Sequence, residues 1–436
     1  RRGSPAALGA ARLALEAAAL GGHFDRAREI RDAARACEPD EGRRSFIEGL
    51  AAMLLGDVAA AAAPLARAVD QGTGSGDIRQ LSAAAAAAAY LGRPQEANAL
   101  FKQAVARTRA AHSAGMLALM LQYTAMMELW HGRPADAEAD ASEALDLARE
   151  TEQVGVEAVL LGILASVAAL RGEVETCRGL AADALALALP RGIELAVSAA
   201  GYALGLLELG TGDPAAAFDH LASVAGRPAA HPIYRLVAIP ELAEAAARTG
   251  RIDDVAGPLR DFEAWAHATE SAWTLALAAR ARALTGPEEE AGECFEEALR
   301  LHETIPSPLF RARTELLYGE HLRRRHQRRD ARAHLRYARD AFAGLGATPW
   351  AARATAELRA TGEVSSPTTE LDGAEALTPQ ERQVARLVSG GATNRDVAAQ
   401  LFVSPKTVEY HLAKIFRKLG IKSRVELVKL ETRDWD

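Results

Sequence analysis

Apolar and polar positions from Arg1 to about Thr361 follow a helical rhythm. Leu145 and Ala148, and again Leu180, Ala184 and Leu187, fall three or four residues apart, which gathers them on one face of a helix. The rhythm is broken at regular intervals by a glycine, a few polar residues, and a small or aliphatic residue five positions after the glycine. The mark occurs at Gly22/Ala27, Gly56/Ala61, Gly92/Ala97, Gly132/Ala137, Gly172/Cys177, Gly212/Ala217, Gly250/Val255 and Gly286/Ala291. A ninth copy, His326/Ala331, lacks the glycine. The steps are 34, 36, 40, 40, 40, 38, 36 and 40 residues. A period of this size, with a helix on each side of a glycine turn, predicts a solenoid of about nine helical hairpins over residues 1–361. Glycine ends one helix in the left-handed region, and Asp or Pro starts the next. The small residue lets the two helices approach closely. The Ala83–Ala89 run sits where an inner helix belongs and reads as close alanine packing.

The pattern stops at residues 362–376, GEVSSPTTELDGAEA, which carry Ser-Ser-Pro and scattered acids and read as a flexible linker. A second helical pattern fills 377–436. Thr378-Pro379 with Glu381, Thr393 with Asp396, and Ser404-Pro405 each spell a helix start, in which a hydroxyl caps backbone N–H groups left without a partner. Val384, Leu387 and Val388 fall on one face of the first helix, and Val397, Ala398 and Leu401 on one face of the second. Val408, Leu412, Ile415 and Leu419 make the stripe of the third. Gly420 ends it, and Ser423 opens a fourth helix with Val425 and Val428 inward. Only Phe402 to Ser404 separate the second helix from the third, which is the spacing of a helix-turn-helix.

Charge sharpens this division. The chain of 436 residues has a formal net charge of −7, yet residues 378–430 hold ten Lys/Arg against four Asp/Glu. That leaves +6 on the module and −13 on the remainder, so only the module suits a polyanion. Five of the six lysines lie in it, the sixth being Lys102. The polar face of the third helix suits a DNA major groove. Lys406 and Thr407 are placed to reach base edges, Glu409 to accept from a cytosine amino group, and Tyr410 to reach a thymine methyl or a phosphate; Ala413 lies on the same face, and Lys414 and Arg417 are placed to hold phosphates. Thr393, Asn394 and Arg395 can meet phosphates from the start of the second helix. His411 lies beside the buried stripe and reads first as a packing residue.

Leu377-Thr378-Pro379-Gln380-Glu381-Arg382, Asn394, Val397-Ala398, Leu401, Val403-Ser404, Lys406-Thr407-Val408, His411, Lys418-Leu419 and Ser423-Arg424 together resemble the LuxR-type helix-turn-helix. The resemblance implies a four-helix DNA-binding domain that binds double-stranded promoter DNA as a homodimer through the last helix, here around Glu426 to Lys429. It also implies contact with RNA polymerase. Glu409 and Ala413 depart from the basic residues common at those positions, which leaves the bases read open. The repeats resemble the tetratricopeptide class, with most aromatic positions of its consensus missing. The fold expected is thus all-α: a tetratricopeptide-like solenoid followed by a four-helix LuxR-type domain.

Solenoid plus LuxR-type module resembles the C-terminal part of large ATP-binding regulators of the maltose-regulon activator type. No phosphate-binding G-x-x-x-x-G-K-[ST] occurs in the chain, and Gly72–Asp77 reads as a surface loop. The chain opens inside a helical pattern without methionine, so a nucleotide-binding domain upstream of Arg1 is one expectation. A transcriptional regulator whose solenoid senses a ligand or protein partner is the main one, and a protein-interaction scaffold is another. His321, His326 and His334 do not share a face at ligand spacing. Arg323–Arg325 with Arg328 and Arg329 read as a solvated basic face. Nothing points to catalysis, a metal or a cofactor. Cys37, Cys177 and Cys294 are far apart, which suits a reduced, cytoplasmic protein. The apolar run Ala158–Leu170 is too short for a membrane span.

Overall fold

The computed structural model describes residues 5–36, 41–363, 377–401, 403–419, 421 and 423–429. Among them there is no strand. Nine helical hairpins follow one another: α1 (Pro5–Gly21) with α2 (Ala27–Arg35), α3 (Glu41–Leu54) with α4 (Val58–Gly72), and α5 (Ile78–Tyr90) with α6 (Pro94–Ala110). Next come α7 (Ala114–Trp130) with α8 (Pro134–Glu150), α9 (Val154–Arg171) with α10 (Val174–Ala188), and α11 (Glu194–Thr211) with α12 (Pro214–Gly226). The last three are α13 (Pro232–Thr249) with α14 (Ala256–Thr269), α15 (Ala272–Thr285) with α16 (Ala291–Glu303), and α17 (Pro308–Arg324) with α18 (Arg328–Gly344). A single helix, α19 (Thr348–Ala360), closes the array. This is the tetratricopeptide-like solenoid that the period predicts.

The turn chemistry explains most of the boundaries. Asp57 and Asp213 cap α4 and α12 by accepting from Ala60 N at 3.1 Å and Ala216 N at 3.0 Å. Pro94, Pro134, Pro214 and Pro308 occupy first helical positions, where no intrahelical N–H is needed. The repeat glycines from Gly22 to Gly250 have positive φ, as expected of helix-ending glycines. Gly286 departs from the expectation, with φ −87° and ψ −171°. The chain there leaves α15 extended and makes a turn before α16. His326 takes the left-handed conformation itself, at φ 62°, which is how the ninth hairpin turns without its glycine.

Alanines pack the hairpins. Ala83, Ala84, Ala85, Ala87 and Ala88 of α5 are all buried. Helix α9 is long and apolar enough to cross a bilayer by length and composition. It is instead an interior helix, with residues 158–163 and 165–170 buried among α8, α10 and α11.

The solenoid also winds back on itself. Trp265 Nε1 in α14 donates to the carbonyl of Tyr90 in α5 at 2.8 Å, 175 residues away in sequence. Helices α1 and α9 meet α11 and α19 in the same way. Gly132 shows what this winding demands. Its φ is +80°, and a Cβ on it would lie 2.9 Å from the backbone nitrogen of Leu309 and 3.0 Å from Leu309 Cβ. Gly212 has φ +97° with nothing within 4 Å of its Cβ position. Gly132→Ala is therefore expected to cost about 1–2 kcal/mol more than Gly212→Ala, since both carry the left-handed strain but only the first is a collision. Urea midpoints of the two variants measure the difference, and equal midpoints would contradict the close approach.

Candidate nucleic-acid interface

The C-terminal module contains α20 (Pro379–Ser389), α21 (Asn394–Leu401), α22 (Pro405–Leu419) and α23 (Arg424–Lys429). Its helix starts are capped as the sequence pattern implies. Glu381 N donates to Thr378 Oγ1 at 3.2 Å, and Thr378 N donates to Glu381 Oε2 at 2.8 Å. Asp396 accepts from Thr393 N at 2.9 Å and from the Thr393 hydroxyl at 2.6 Å. Those two bonds hold its carboxyl below the usual range. Thr407 N donates to Ser404 Oγ at 2.9 Å, and Glu426 N to Ser423 Oγ at 3.3 Å.

The module has its own apolar core, built from Leu377, Val384, Ala385, Val388, Val397, Ala398, Val408, Leu412, Ile415 and Leu427. Leu387, Leu401 and Leu419 pack at its edge. In α23 the buried side chain is Leu427, while the side chains of Val425 and Val428 lie outside the described residues. So does most of the expected linker, residues 364–376.

The candidate contact residues are not equivalent. Arg395, Lys406, Glu409 and Ala413 are exposed, as is Thr393. Asn394 Oδ1 accepts from Arg424 Nη1 at 3.0 Å, and Arg424 also donates to the carbonyl of Ala392. Arg424 thereby fixes the start of α21 against the start of α23. Thr407 is 3% exposed, and its hydroxyl meets Ser404 Oγ at 2.8 Å. It was expected on the open face; its place in the first-turn cap puts it in the seam with the solenoid. The side chain of Arg417 lies outside the described residues.

That seam runs along α8, which packs against α22. Lys406 Nζ meets Asp146 Oδ2 at 2.9 Å, and Lys414 Nζ lies 3.6 Å from Glu138 Oε2 and 4.5 Å from the Tyr410 ring centre. Arg171, at the end of α9, bridges the two parts. Its Nη1 donates to Glu138 Oε1 at 2.7 Å, and its Nη2 donates to the Tyr410 hydroxyl at 2.9 Å. His411 is buried, at 2% exposed, and its Nε2 meets Asp136 Oδ1 at 3.1 Å. Gln380 Nε2 donates to the same oxygen at 3.2 Å. Burial pushes the Asp136 carboxyl up, while the hydrogen bond and charge of His411, with Lys102 and Arg133, hold it below the usual range.

Beside these contacts the seam borders a half-open pocket of about 500 Å³. Lys102, Glu128 and Asp136 line it from the solenoid; Val403, Ser404 and Thr407 line it from the module. The sequence did carry a signal for α8. Its 17 residues hold Asp136, Glu138, Asp140, Glu143, Asp146 and Glu150 against the single base Arg149. Among the described residues no cluster suited to a metal ion occurs.

Residues 375–430 match the family model described as bacterial regulatory proteins, luxR family. The similarity to individual proteins lies in short segments of comparable length. The Mycobacterium bovis protein Mb0914c, an inferred HTH-type transcriptional regulator, is 60% identical over 52 residues, which are 12% of this chain and 6% of that protein. The transcriptional regulatory protein UhpA of Escherichia coli is 42% identical over 59 residues, 14% of this chain and 30% of UhpA. The oxygen regulatory protein NreC of Staphylococcus epidermidis is 44% identical over 69 residues, 16% of this chain and 30% of NreC. The chain thus spans well under two thirds of each relative. The crystal structure of a Rap protein complexed with competence and sporulation factor has a similar fold, with TM-score 0.53 and 15% identity, over 78% of this chain and 98% of that one. The class these findings define is a helical-repeat solenoid joined to a LuxR-family helix-turn-helix module.

Proposed function

We propose that this chain is a DNA-binding transcriptional regulator whose C-terminal module binds promoter DNA and whose solenoid receives the signal. The observation that carries the reading is the capped module itself. It has a separate core, a LuxR-family match over residues 375–430, and an exposed Lys406 in the first turn of its third helix. In the complex, Lys406, Glu409, Tyr410 and Ala413 face the major groove, with Thr407 at the helix start. Lys414, Arg417, Thr393, Asn394 and Arg395 hold phosphates. A homodimer through α23 would place two such helices on a two-fold symmetric site. The effector reading is supported by the pocket of about 500 Å³, a size suited to a small molecule, which residues from both parts line.

The isolated 377–436 module is expected to bind duplex DNA with an affinity that falls steeply with salt. Lys414→Ala weakens it for all sequences alike and lowers the salt slope by about one. Fluorescence anisotropy with random-sequence duplexes, and with DNA from upstream of the gene, measures both. Salt-insensitive or absent binding to every duplex would sink the reading.

A second reading, that the chain is the C-terminal part of a larger nucleotide-binding regulator, is favoured by the length of the mycobacterial relative, of which the matched segment is 6%. A phosphate-binding loop in the reading frame upstream of Arg1 decides it.

A further inference from the structure

Part of the face of α22 that would meet DNA is occupied, although Glu409 and Ala413 stay exposed. Lys406 and Lys414 are engaged by Asp146 and Glu138, Tyr410 by Arg171, and His411 by Asp136. A helix packed along α8 cannot at the same time enter a major groove about 12 Å wide. We propose that α8 stands in for the phosphate backbone, so that the solenoid and DNA compete for one face of α22 and the docked arrangement is silent toward DNA. The proposal rests on the reading of the module as a DNA binder.

Three features separate this seam from ordinary packing. First, the apolar cores of the two parts are separate clusters, so no shared core cements them. The contact is held by charge and hydrogen bonds, as in interfaces that open. Second, the contact has a specific key. Asp136 is 4% exposed, and His411 and Gln380 converge on one of its oxygens from two helices of the module. Asp146, with 64% of its side chain exposed, adds an ion pair to Lys406 elsewhere along the same contact. Third, the partners are matched in sign along a length of helix. Carboxylates of α8 meet Lys406 and Lys414 of α22, with oxygen-to-nitrogen separations of 2.9 and 3.6 Å. Phosphate oxygens make the same kind of contact to the same atoms.

Competition has a signature in salt. When DNA displaces α8, the lysines exchange one set of anions for another, and salt weakens both sets. The full chain therefore binds DNA more weakly than the free module and with a shallower salt dependence.

The test uses the full chain and a random-sequence duplex of about 30 base pairs. Asp146→Lys and the pair Asp136→Asn with Glu138→Gln are each compared with wild type by anisotropy across a salt series. Hydrogen exchange of residues 405–419 is followed without DNA. The expected result is a gain in affinity of about tenfold or more at low salt and a steeper salt slope. Exchange on α22 becomes faster at the same time. Asp146 is exposed and outside the solenoid core, so Asp146→Lys keeps the test intact should the double variant fail to fold. Wild-type chain that binds as tightly as the module, with no response to either variant, overturns the proposal. Failure of the module and the full chain alike to bind any duplex overturns the DNA-binding reading instead.

Discussion

Glu244→Ala is expected to lower the unfolding free energy of the solenoid by about 3–5 kcal/mol. Glu244 is 1% exposed on α13, and its two oxygens accept from Arg353 Nη1 and Arg313 Nη2, each at 2.6 Å. Arg313 also meets Glu241 at 2.6 Å, and Arg353 meets Glu320 at 2.6 Å. Arg280, fully buried on α15, is 3.3 Å from Glu241. One charge network thus ties α13, α15, α17 and α19 together, with Arg313 stacked 4.4 Å from the centre of the Trp350 ring. Burial pushes the Glu244 carboxyl up, but Arg353 and Arg313 outweigh it and hold it down at about 2.

Truncating Glu244 leaves two buried guanidinium groups sharing the remaining carboxylates. The loss comes chiefly from that uncompensated charge rather than from the net worth of the ion pairs. Glu244→Gln keeps an acceptor oxygen and loses the charge, so it falls between wild type and Glu244→Ala. Replacing Glu244 and Arg313 together by Leu and Met restores much of the stability. Urea unfolding of the three variants checks the order. A double variant as unstable as Glu244→Ala would show that the network is worth more than its desolvation.

These buried charges mark where sequence reading loses its grip. The hairpins were legible because they are local: apolar spacing makes the helices, and glycine, proline and aspartate make the turns. The four helices of the module and their caps were legible for the same reason. Winding is not local. Nothing near Gly132 in sequence announces Leu309, and nothing near Arg313 announces Glu244, 69 residues away. An arginine in a helix such as α17 reads as solvated until the rest of the chain closes over it. Turns that need the left-handed region without glycine were equally silent, at His112, Glu152 and Glu270. In the candidate interface the exposed positions of α22 followed from the helix alone. The partner of His411 did not, because Asp136 belongs to a helix 275 residues earlier.

Acid is expected to weaken the fold well above the pH at which its carboxylates protonate. Burial drives His231 and His302 down to about 3, with Arg280 and Arg311 adding to the effect at His302. His131 is driven down to about 4 by burial, then by Arg133 and Lys102. The ring nitrogens of His302 are matched to the hydroxyls of Ser307 at 3.1 Å and Thr314 at 3.2 Å. Neither ring nitrogen of His131 has a hydrogen-bond partner among the described residues. All three are therefore neutral in the folded chain, while the unfolded chain protonates them near pH 6.5. Below that pH the unfolded state binds protons that the folded state refuses, so stability falls as pH falls. Each histidine contributes about 1.4 kcal/mol per pH unit, until the folded value near 3 or 4 is reached. The Glu244 contribution is separate. It is intact above the unfolded carboxylate value of about 4.5 and is lost only as pH drops from there toward 2. Urea midpoints measured between pH 7 and 5 thus report the histidines, His321 included since burial pushes it down too, together with Asp140, whose carboxyl burial pushes well up. His302→Asn, which keeps hydrogen-bonding groups near Ser307 and Thr314 but does not titrate, should flatten the pH dependence of the midpoint over that range. A wild-type midpoint that stays constant from pH 7 to 5 would mean that the three rings reach protons in the folded chain.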